Sequence, residues 1–152
     1  MLFFKEKKVL RAVAKGQIIP LSAVKDQVFS SKMMGEGYAI IGHDGHVHSP
    51  VEGMIENIFP TYHAITIGSK SGEKVLIHMG IDTVELKGAP FSIHVTIGQK
   101  VHYGTLLAEM DLQQLVEAKK DAAIIVVSPD LSKGKLLKTN QQVSIQDDCY
   151  QF

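Results

Sequence analysis

Short apolar segments separated by glycine recur along most of the chain. Apolar segments, most of them containing valine or isoleucine, occupy residues 17–19, 38–41, 54–59, 64–67, 75–79 and 105–110. Several strands this short, with turn residues at close intervals, are typical of a sandwich or barrel. The pattern therefore predicts an all-β fold, an antiparallel β-sandwich or β-barrel.

Two local signals add to this pattern. The pair Asp44-Gly45 stands between two apolar segments and predicts a hairpin turn. Asp111 precedes a segment in which Leu112, Leu115 and Val116 fall on one helical face, so we predict one short helix capped by that aspartate.

A weak internal repeat indicates a duplicated motif. Residues 16–21 and 53–58 both have the form Gly-x-Ile-x-x-apolar, and residues 97–107 contain Gly-x-x-Val-x-x-Gly-x-x-Leu. The last pattern resembles the hybrid β motif of lipoyl and biotinyl carrier domains. Those carriers present a modified lysine beside a methionine, and no Met-Lys pair occurs here, so the resemblance extends only to the scaffold.

Composition narrows the class of protein. The chain has 152 residues, which we interpret as a single domain over 1–152, with 1–12 as a flexible N-terminal segment. Sixteen basic residues balance sixteen acidic ones, which gives no electrostatic reason to bind nucleic acid. The single cysteine, Cys149, excludes an internal disulfide framework and fits a reducing cytoplasm.

The beginning of the chain, MLFFKEKKVLRAV, suggests at most weak contact with a membrane surface. Its apolar stretch is too short for the core of a signal peptide, and no apolar run approaches the roughly 20 residues that span a bilayer. The first residue is methionine, which favours a free-standing protein. We expect a cytoplasmic location.

Two of the seven histidines occupy related positions in a predicted hairpin. If the turn centres on Lys70-Ser71, His63 faces His78 across the two strands. Directly opposed residues place their Cβ atoms roughly 4.5–5.5 Å apart, so both imidazoles could address one small anion or metal ion. A shift of one residue in the register would place them on opposite faces.

Neighbouring residues add polar groups to this pair. Thr61 precedes His63 by two residues and would share its face of an extended strand, where the hydroxyl could fix the imidazole tautomer. Gly80 permits close approach of the backbone, and Asp82 follows it.

Longer motifs make a family resemblance specific. The segments IHMGIDTVELKG and FPTYHAI, together with VFSSKMMGEGYAI, SPVEGMIENIF and GQKVHYGTLLAEMDL, resemble the IIA domain of the glucose-type phosphoenolpyruvate-dependent sugar phosphotransferase system. The resemblance runs from about residue 16 to 127. It implies an antiparallel β-sandwich that acts as a phosphotransferase component.

The resemblance also implies roles for individual residues. His78 would accept a phosphoryl group on Nε2 from phosphorylated HPr and pass it to the cysteine of a IIB domain. His63 would stabilise the transferring phosphoryl group, and Thr61 would orient His63. The partner-docking surface would comprise Val28, Phe29, Phe59, Asp82 and Val84. No cofactor is required, although family members bind zinc at the two histidines, so weak zinc binding by His63 and His78 is expected.

Two alternatives stay open from the sequence. The segment HDGHVHS contains His43, His46 and His48, and a His-x-His spacing on a similar β scaffold is compatible with a zinc-dependent hydrolase. A regulatory module that binds other proteins without transferring phosphate is the second alternative.

Overall fold

The computed structural model describes residues 8–131 and 134–152. Within these residues, every strand pairs antiparallel with at least one other strand. Within that part of the chain the strands are β1 (Val9–Arg11), β2 (Gly16–Ile19), β3 (Glu36–Ile41), β4 (His46–His48), β5 (Gly53–Ile58), β6 (Ala64–Ser69), β7 (Lys74–Met79), β8 (Phe91–Ile93), β9 (Lys100–Val101), β10 (Leu106–Met110), β11 (Ile124–Ser128), β12 (Lys135–Leu136), β13 (Gln141–Val143) and β14 (Asp148–Gln151). These elements confirm the predicted all-β class.

The strands form one large sheet and two small ones. The large sheet has the order β13-β2-β3-β11-β7-β6-β5-β9, and the small sheets have the orders β1-β14-β12 and β4-β10-β8. One apolar core receives side chains from all three sheets, among them Leu10, Ile77, Leu107 and Tyr150. The small sheets therefore cover the large one, as in a β-sandwich.

Strand β11 shows why the centre of the large sheet is uninterrupted. Its sequence IIVVS is buried at every position, and β3 and β7 pair with it on either side. A continuous run of β-branched residues is expected for a strand covered on both faces. Ile124 and Val126 face the main core, whereas Ile125 and Val127 belong to a second apolar cluster on the opposite face. That second cluster lies beneath the site described below.

The described residues contain two short α-helices, where the sequence predicted one. Helix α2 (Leu112–Glu117) begins after Asp111, whose side chain accepts a hydrogen bond from the Gln114 amide at 3.2 Å, as predicted. Leu115 is buried, but Val116 is 75% exposed, so the apolar face is narrower than predicted.

The unpredicted helix is α1 (Gln27–Ser30), whose four residues are too few to show a helical period. The Asp26 carboxylate caps it by accepting from the Val28 amide at 2.9 Å, and the side chain of Phe29 is buried. Two 3-10 helices occupy Leu21–Ala23 and Thr83–Leu86. Over the described residues, no helix is long and apolar enough to cross a membrane.

The predicted hairpin at Asp44-Gly45 is wrong. The strands on its two sides do not pair with each other, because β3 pairs with β2 and β11 whereas β4 pairs with β10. The turn instead carries the chain from the large sheet to a small one. The long-range pairing of β3 with β11 overrides the local turn signal.

The structure describes only part of the predicted flexible N-terminal segment 1–12. Residues 1–7, on which the prediction of weak membrane contact depends, lie outside the described residues. Residues Val9–Arg11 form β1, which pairs with β14, and the side chains of Leu10 and Ala12 are fully buried in the core.

Candidate functional site

His78 lies near the end of β7, in the interior of the large sheet. It is paired with Ala64 of β6 on one side and with Ile125 of β11 on the other. Burial alternates along β7, and the His78 side chain points to the half-buried face of the sheet. Its backbone is therefore fixed by two neighbours while its ring is directed towards the protein surface.

The β6–β7 hairpin has a different register from the predicted one. Ala64, rather than His63, is the partner of His78, and Ile65 is the partner of Ile77. The cause is the turn: the Ser69 amide donates to the Glu73 carbonyl at 2.8 Å, so three residues rather than two separate the last bonded pair. By the rule of alternation, this one-residue shift would separate the histidines.

The rings nevertheless meet, because His63 lies outside the extended strand. It precedes the first residue of β6 and follows Tyr62, whose φ of 57° is left-handed. The His63 carbonyl still accepts a hydrogen bond from the Met79 amide at 2.7 Å. The left-handed residue redirects the chain, and the His63 and His78 ring centroids are 5.1 Å apart at an interplanar angle of 75°.

A backbone carbonyl fixes the tautomer of His78. Its Nδ1 atom lies 2.7 Å from the Gly80 carbonyl oxygen. Because a carbonyl oxygen only accepts, Nδ1 must carry the proton, and Nε2 keeps its lone pair. Gly80 has a left-handed φ of 81°, and a Cβ atom there would lie 2.5 Å from Cγ2 of Thr83, so this turn requires glycine.

Thr61 contacts His63 as the sequence predicted. Its hydroxyl oxygen lies 2.5 Å from Nδ1 of His63. The predicted reason was wrong, since residues 61–63 form a turn rather than an extended strand. When the hydroxyl donates to Nδ1, Nε2 of His63 carries the proton and is a hydrogen-bond donor.

Both rings are biased towards the neutral form. Burial lowers the pKa of His63. Burial also lowers the pKa of His78, and the nearby His63 acts in the same direction, whereas the Gly80 carbonyl and the carboxylates of Asp26 and Asp82 oppose the shift. The pair thus presents one bare nitrogen and one N–H donor near neutral pH.

An apolar rim surrounds the two rings. Phe29 contacts His78 with ring centroids 4.9 Å apart, and Phe59 contacts His63 at 5.4 Å. Val28 precedes Phe29 in the chain and Val84 follows Asp82 by two residues, and these valines are 44% and 49% exposed. Of the predicted docking residues, Phe29 and Phe59 contact the histidines, and Val28 and Val84 are exposed at the surface.

The fifth predicted docking residue, Asp82, is exposed at the start of the 3-10 helix, with a left-handed φ of 58°. Sequence reasoning missed a second carboxylate, that of Asp26, which caps α1 and interacts electrostatically with His78. Its position before a short apolar segment was a capping signal that could have located it.

The histidines of the HDGHVHS segment have separate partners. Nε2 of His43 lies 2.6 Å from the Ala122 carbonyl, and Nδ1 of His48 lies 2.9 Å from the Gly104 carbonyl. His46 contacts the carboxylates of Asp44 and Glu109 at 3.2 and 3.0 Å. Across the described residues, no three histidine, cysteine or acidic side chains are grouped so that they could hold a metal ion. This geometry gives no support to the hydrolase alternative.

Most of the chain is similar in sequence to known proteins. Residues 8–133 match the family described as phosphoenolpyruvate-dependent sugar phosphotransferase system, EIIA 1. The chain is 47% identical over 134 residues to the PTS system glucose-specific EIICBA component of Streptococcus pneumoniae, a match that covers 88% of this chain and 18% of that protein. It is 48% identical over 122 residues to the glucosamine-specific EIICBA component of Bacillus subtilis, covering 80% of this chain and 19% of that protein.

A solved structure extends the similarity to the fold. The glucose permease IIA from Mycoplasma capricolum superposes with a TM-score of 0.88 at 33% sequence identity, over 99% of this chain and 98% of the other. The chain spans about a fifth of the length of the two curated relatives.

Proposed function

Since the chain belongs to the EIIA 1 family of the phosphoenolpyruvate-dependent sugar phosphotransferase system, we propose that His78 Nε2 carries the phosphoryl group. One observation carries the proposal. The proton on Nδ1 is held by the Gly80 carbonyl at 2.7 Å, so the lone pair of Nε2 is available. The second imidazole, with its centroid 5.1 Å away, is close enough to donate to a group bound there.

The transfer step is a displacement at phosphorus. The Nε2 lone pair of His78 forms a bond to phosphorus as the bond between phosphorus and the histidine of the donor HPr breaks. The donor nitrogen recovers the electron pair. The ring of His78 becomes cationic, and its Nδ1–H remains bonded to the Gly80 carbonyl, which stabilises that charge.

His63 supplies the electrostatic part of this reaction. Phosphoryl transfer requires mainly positioning and stabilisation of charge on the equatorial oxygens. With the Thr61 hydroxyl donating to its Nδ1 at 2.5 Å, His63 directs an Nε2–H towards those oxygens. In the onward step, the thiolate of a IIB cysteine attacks the phosphorus, and His78 leaves as a neutral imidazole.

The apolar rim is suited to partners that bind transiently. Exposed Val28 and Val84 and the partly exposed Phe59 exclude water from a phosphoramidate and offer a docking surface. Transient complexes of this kind bury less than about 1,200 Å². We propose HPr as the donor, a IIB domain as the acceptor, and the cytoplasm as the place where they meet.

The test is phosphorylation of the purified chain. Incubation with phosphoenolpyruvate, enzyme I and HPr is expected to add one phosphate by intact-mass measurement. His78→Ala should add none while keeping the circular dichroism and cooperative melting of a folded protein, because the ring lies on the half-buried face of β7 and not in the main core. A folded wild-type chain that gains no phosphate would contradict the proposal and favour the regulatory-module alternative. Phosphate on the folded His78→Ala variant would place the acceptor elsewhere.

A further inference from the structure

The Gly80–Ile81 peptide group, whose carbonyl accepts a hydrogen bond from Nδ1 of His78, is itself hydrogen-bonded to the segment before β11. The amide nitrogen of that same group, which belongs to Ile81, donates to the Asp121 carbonyl at 3.0 Å. The preceding amide, that of Gly80, donates to the Ala123 carbonyl at 2.8 Å. Residues 121–123 lie immediately before β11 and outside any regular element.

The segment 121–123 has its own internal support. The Oδ1 atom of Asp121 accepts a hydrogen bond from the Ala123 amide at 2.8 Å. This bond closes a local turn of the kind that aspartate side chains form with the backbone two residues later. In this turn the Asp121 carbonyl accepts from the Gly80–Ile81 peptide group, and the Ala123 carbonyl accepts from the peptide group before it.

A second histidine contacts the remaining carbonyl of the segment. Nε2 of His43 lies 2.6 Å from the Ala122 oxygen, and its Nδ1 accepts from the Gly45 amide at 3.0 Å. Because the carbonyl only accepts, Nε2 of His43 is the protonated nitrogen, and the amide bond to Nδ1 agrees with that tautomer. The side chain is only 8% exposed. His43 therefore joins the turn after β3 to the segment before β11.

We propose that residues 121–123, held by the Asp121 side chain and by His43, form a brace that orients the Gly80 carbonyl and so keeps Nε2 of His78 bare. Asp121 and His43 are then positioning residues for the nucleophile. The inference rests on the proposed function for its kinetic consequence only. The tautomer of His78 can be measured in the free protein without any phosphoryl donor.

The hydrogen bonds between Asp121 and His78 form a series in which each bond strengthens the next. An amide whose N–H is bonded has a more polarised carbonyl, and successive bonds strengthen one another. The Asp121 carbonyl, the Ile81 N–H, the Gly80 carbonyl and the His78 Nδ1–H form such a series. Loss of the turn at Asp121 removes the alignment of its first member, so the His78 ring can rotate or change tautomer.

The experiment compares Asp121→Ala with Asp121→Asn. Asparagine retains the Oδ1 acceptor for the Ala123 amide, whereas alanine removes it. Asp147→Ala is the matched control, because the Asp147 carboxylate also accepts a backbone hydrogen bond, from the Ser144 amide at 2.8 Å, in the turn between β13 and β14. A second pair is His43→Gln, which retains a donor, and His43→Leu, which removes both bonds.

Two readouts distinguish the brace from the proposed function. In ¹⁵N spectra of the free protein, wild type, Asp121→Asn and Asp147→Ala should show His78 only as the Nδ1–H tautomer. Asp121→Ala should add the Nε2–H tautomer. Phosphate uptake by Asp121→Ala should fall between about tenfold and a hundredfold, as misplacement of a reacting group predicts.

Failure of the brace and failure of the proposed function give different experimental results. A wild-type His78 tautomer in Asp121→Ala would overturn the brace, whether or not the protein takes phosphate. A changed tautomer in Asp121→Ala, together with a wild-type protein that takes no phosphate, would support the brace and reject the proposed function. Asp121 is exposed, so its variants should fold. If His43→Leu fails to fold, the Asp121 pair decides the result.

Discussion

The imidazole rings of His63 and His78 lie 5.1 Å apart between centroids, although the strand register does not pair these two residues. Each ring uses Nδ1 for a bond inside the protein, to Thr61 at 2.5 Å and to Gly80 at 2.7 Å. The two Nε2 atoms are the nitrogens left for a shared ligand. Different Nδ1 partners give the two rings different chemical roles.

Replacing His63 by glutamine should slow transfer without preventing it. Glutamine retains a donor group but not the ring geometry, and loss of one preorganised donor costs on the order of 10²–10³ in rate. We expect onward transfer to the IIB domain to suffer more than uptake from HPr. Rapid-quench kinetics of both half-reactions measure the difference.

Thr61→Val serves as the companion variant for that experiment, because it leaves His63 in place but removes the hydroxyl at its Nδ1. A smaller loss in the same direction is expected. Undiminished rates in His63→Gln would show that the residue is structural, and complete absence of uptake would mean that the two roles are reversed.

Zinc should bind weakly and compete with phosphorylation. The two Nε2 atoms supply two ligands, whereas closed structural zinc sites usually have four. The described residues offer no third side chain in position. Calorimetry of the unphosphorylated chain should detect a site that is lost in His63→Ala and in the phosphorylated protein. Equal zinc affinity for His63→Ala and wild type would contradict the assignment.

The pH dependence of the site follows from burial. Burial lowers the pKa of both His63 and His78 from 6.5, so each ring should still be more than half neutral when the pH falls to that value. Phosphate uptake limited by His78 should therefore fall to half of its high-pH rate only below pH 6.5. NMR titration of the Cε1–H signals checks this, with free imidazole as the reference. A His78 midpoint at or above 6.5 would contradict it.

The same shifts affect stability. The pKa of His43 is also lowered by burial, so all three histidines bind protons more readily in the unfolded chain than in the folded one. Their contribution is fully present above pH 6.5 and is lost as the pH falls towards the folded pKa values. Urea unfolding should give a lower free energy of unfolding at pH 5.5 than at pH 7.5.

Six of the fourteen described strands were predicted from apolar segments between glycines. The central strand β11 was not among the predicted segments, although its sequence IIVVS is rich in valine and isoleucine. The register between β6 and β7 was not predictable, because the number of residues in the turn decides it and Lys70-Ser71-Gly72 accommodates several closures. Helix α1 has four residues and depends on the burial of Phe29 by distant strands. A sequence cannot show such packing.

The side chains of the candidate site were predictable from the sequence, but the backbone features that position them were not. The resemblance identified His63, His78 and Thr61, and the structure brings these side chains together. The acceptor for Nδ1 of His78 is a backbone carbonyl, which every residue type possesses, so no side chain marked it. The left-handed Tyr62 that redirects His63 was equally hidden, since glycine or asparagine is the usual signal for that conformation.

The hairpin that carries both histidines should depend on Glu73. Burial alone would raise the pKa of this carboxyl, but hydrogen bonds from Ser71, Ser69 and Lys8 outweigh it and lower the pKa to about 2. Glu73→Gln should therefore reduce the free energy of unfolding by about 1 kcal/mol above pH 4.5. The difference from wild type should disappear as the pH approaches 2, because the native carboxylate is then protonated.

Glu117→Gln on α2, which removes an exposed charge, is the control. Denaturant unfolding across this pH range measures both variants. A Glu73→Gln difference that persists unchanged at pH 2 would exclude the carboxylate charge as its source.

The two-sided pairing of β7, with Ala64 on one side and Ile125 on the other, limits how a phosphorylated state can be communicated. A backbone bonded on both edges does not bend when a group is added at the tip of one side chain. If His78 carries the phosphoryl group as proposed, another molecule then meets about two negative charges on the phosphoryl oxygens, partly offset by the positive His78 ring, on a surface of constant shape. Amide hydrogen exchange along β7 should be the same in both states. Under the proposed function, partners would then distinguish the two states of the protein by charge and not by shape.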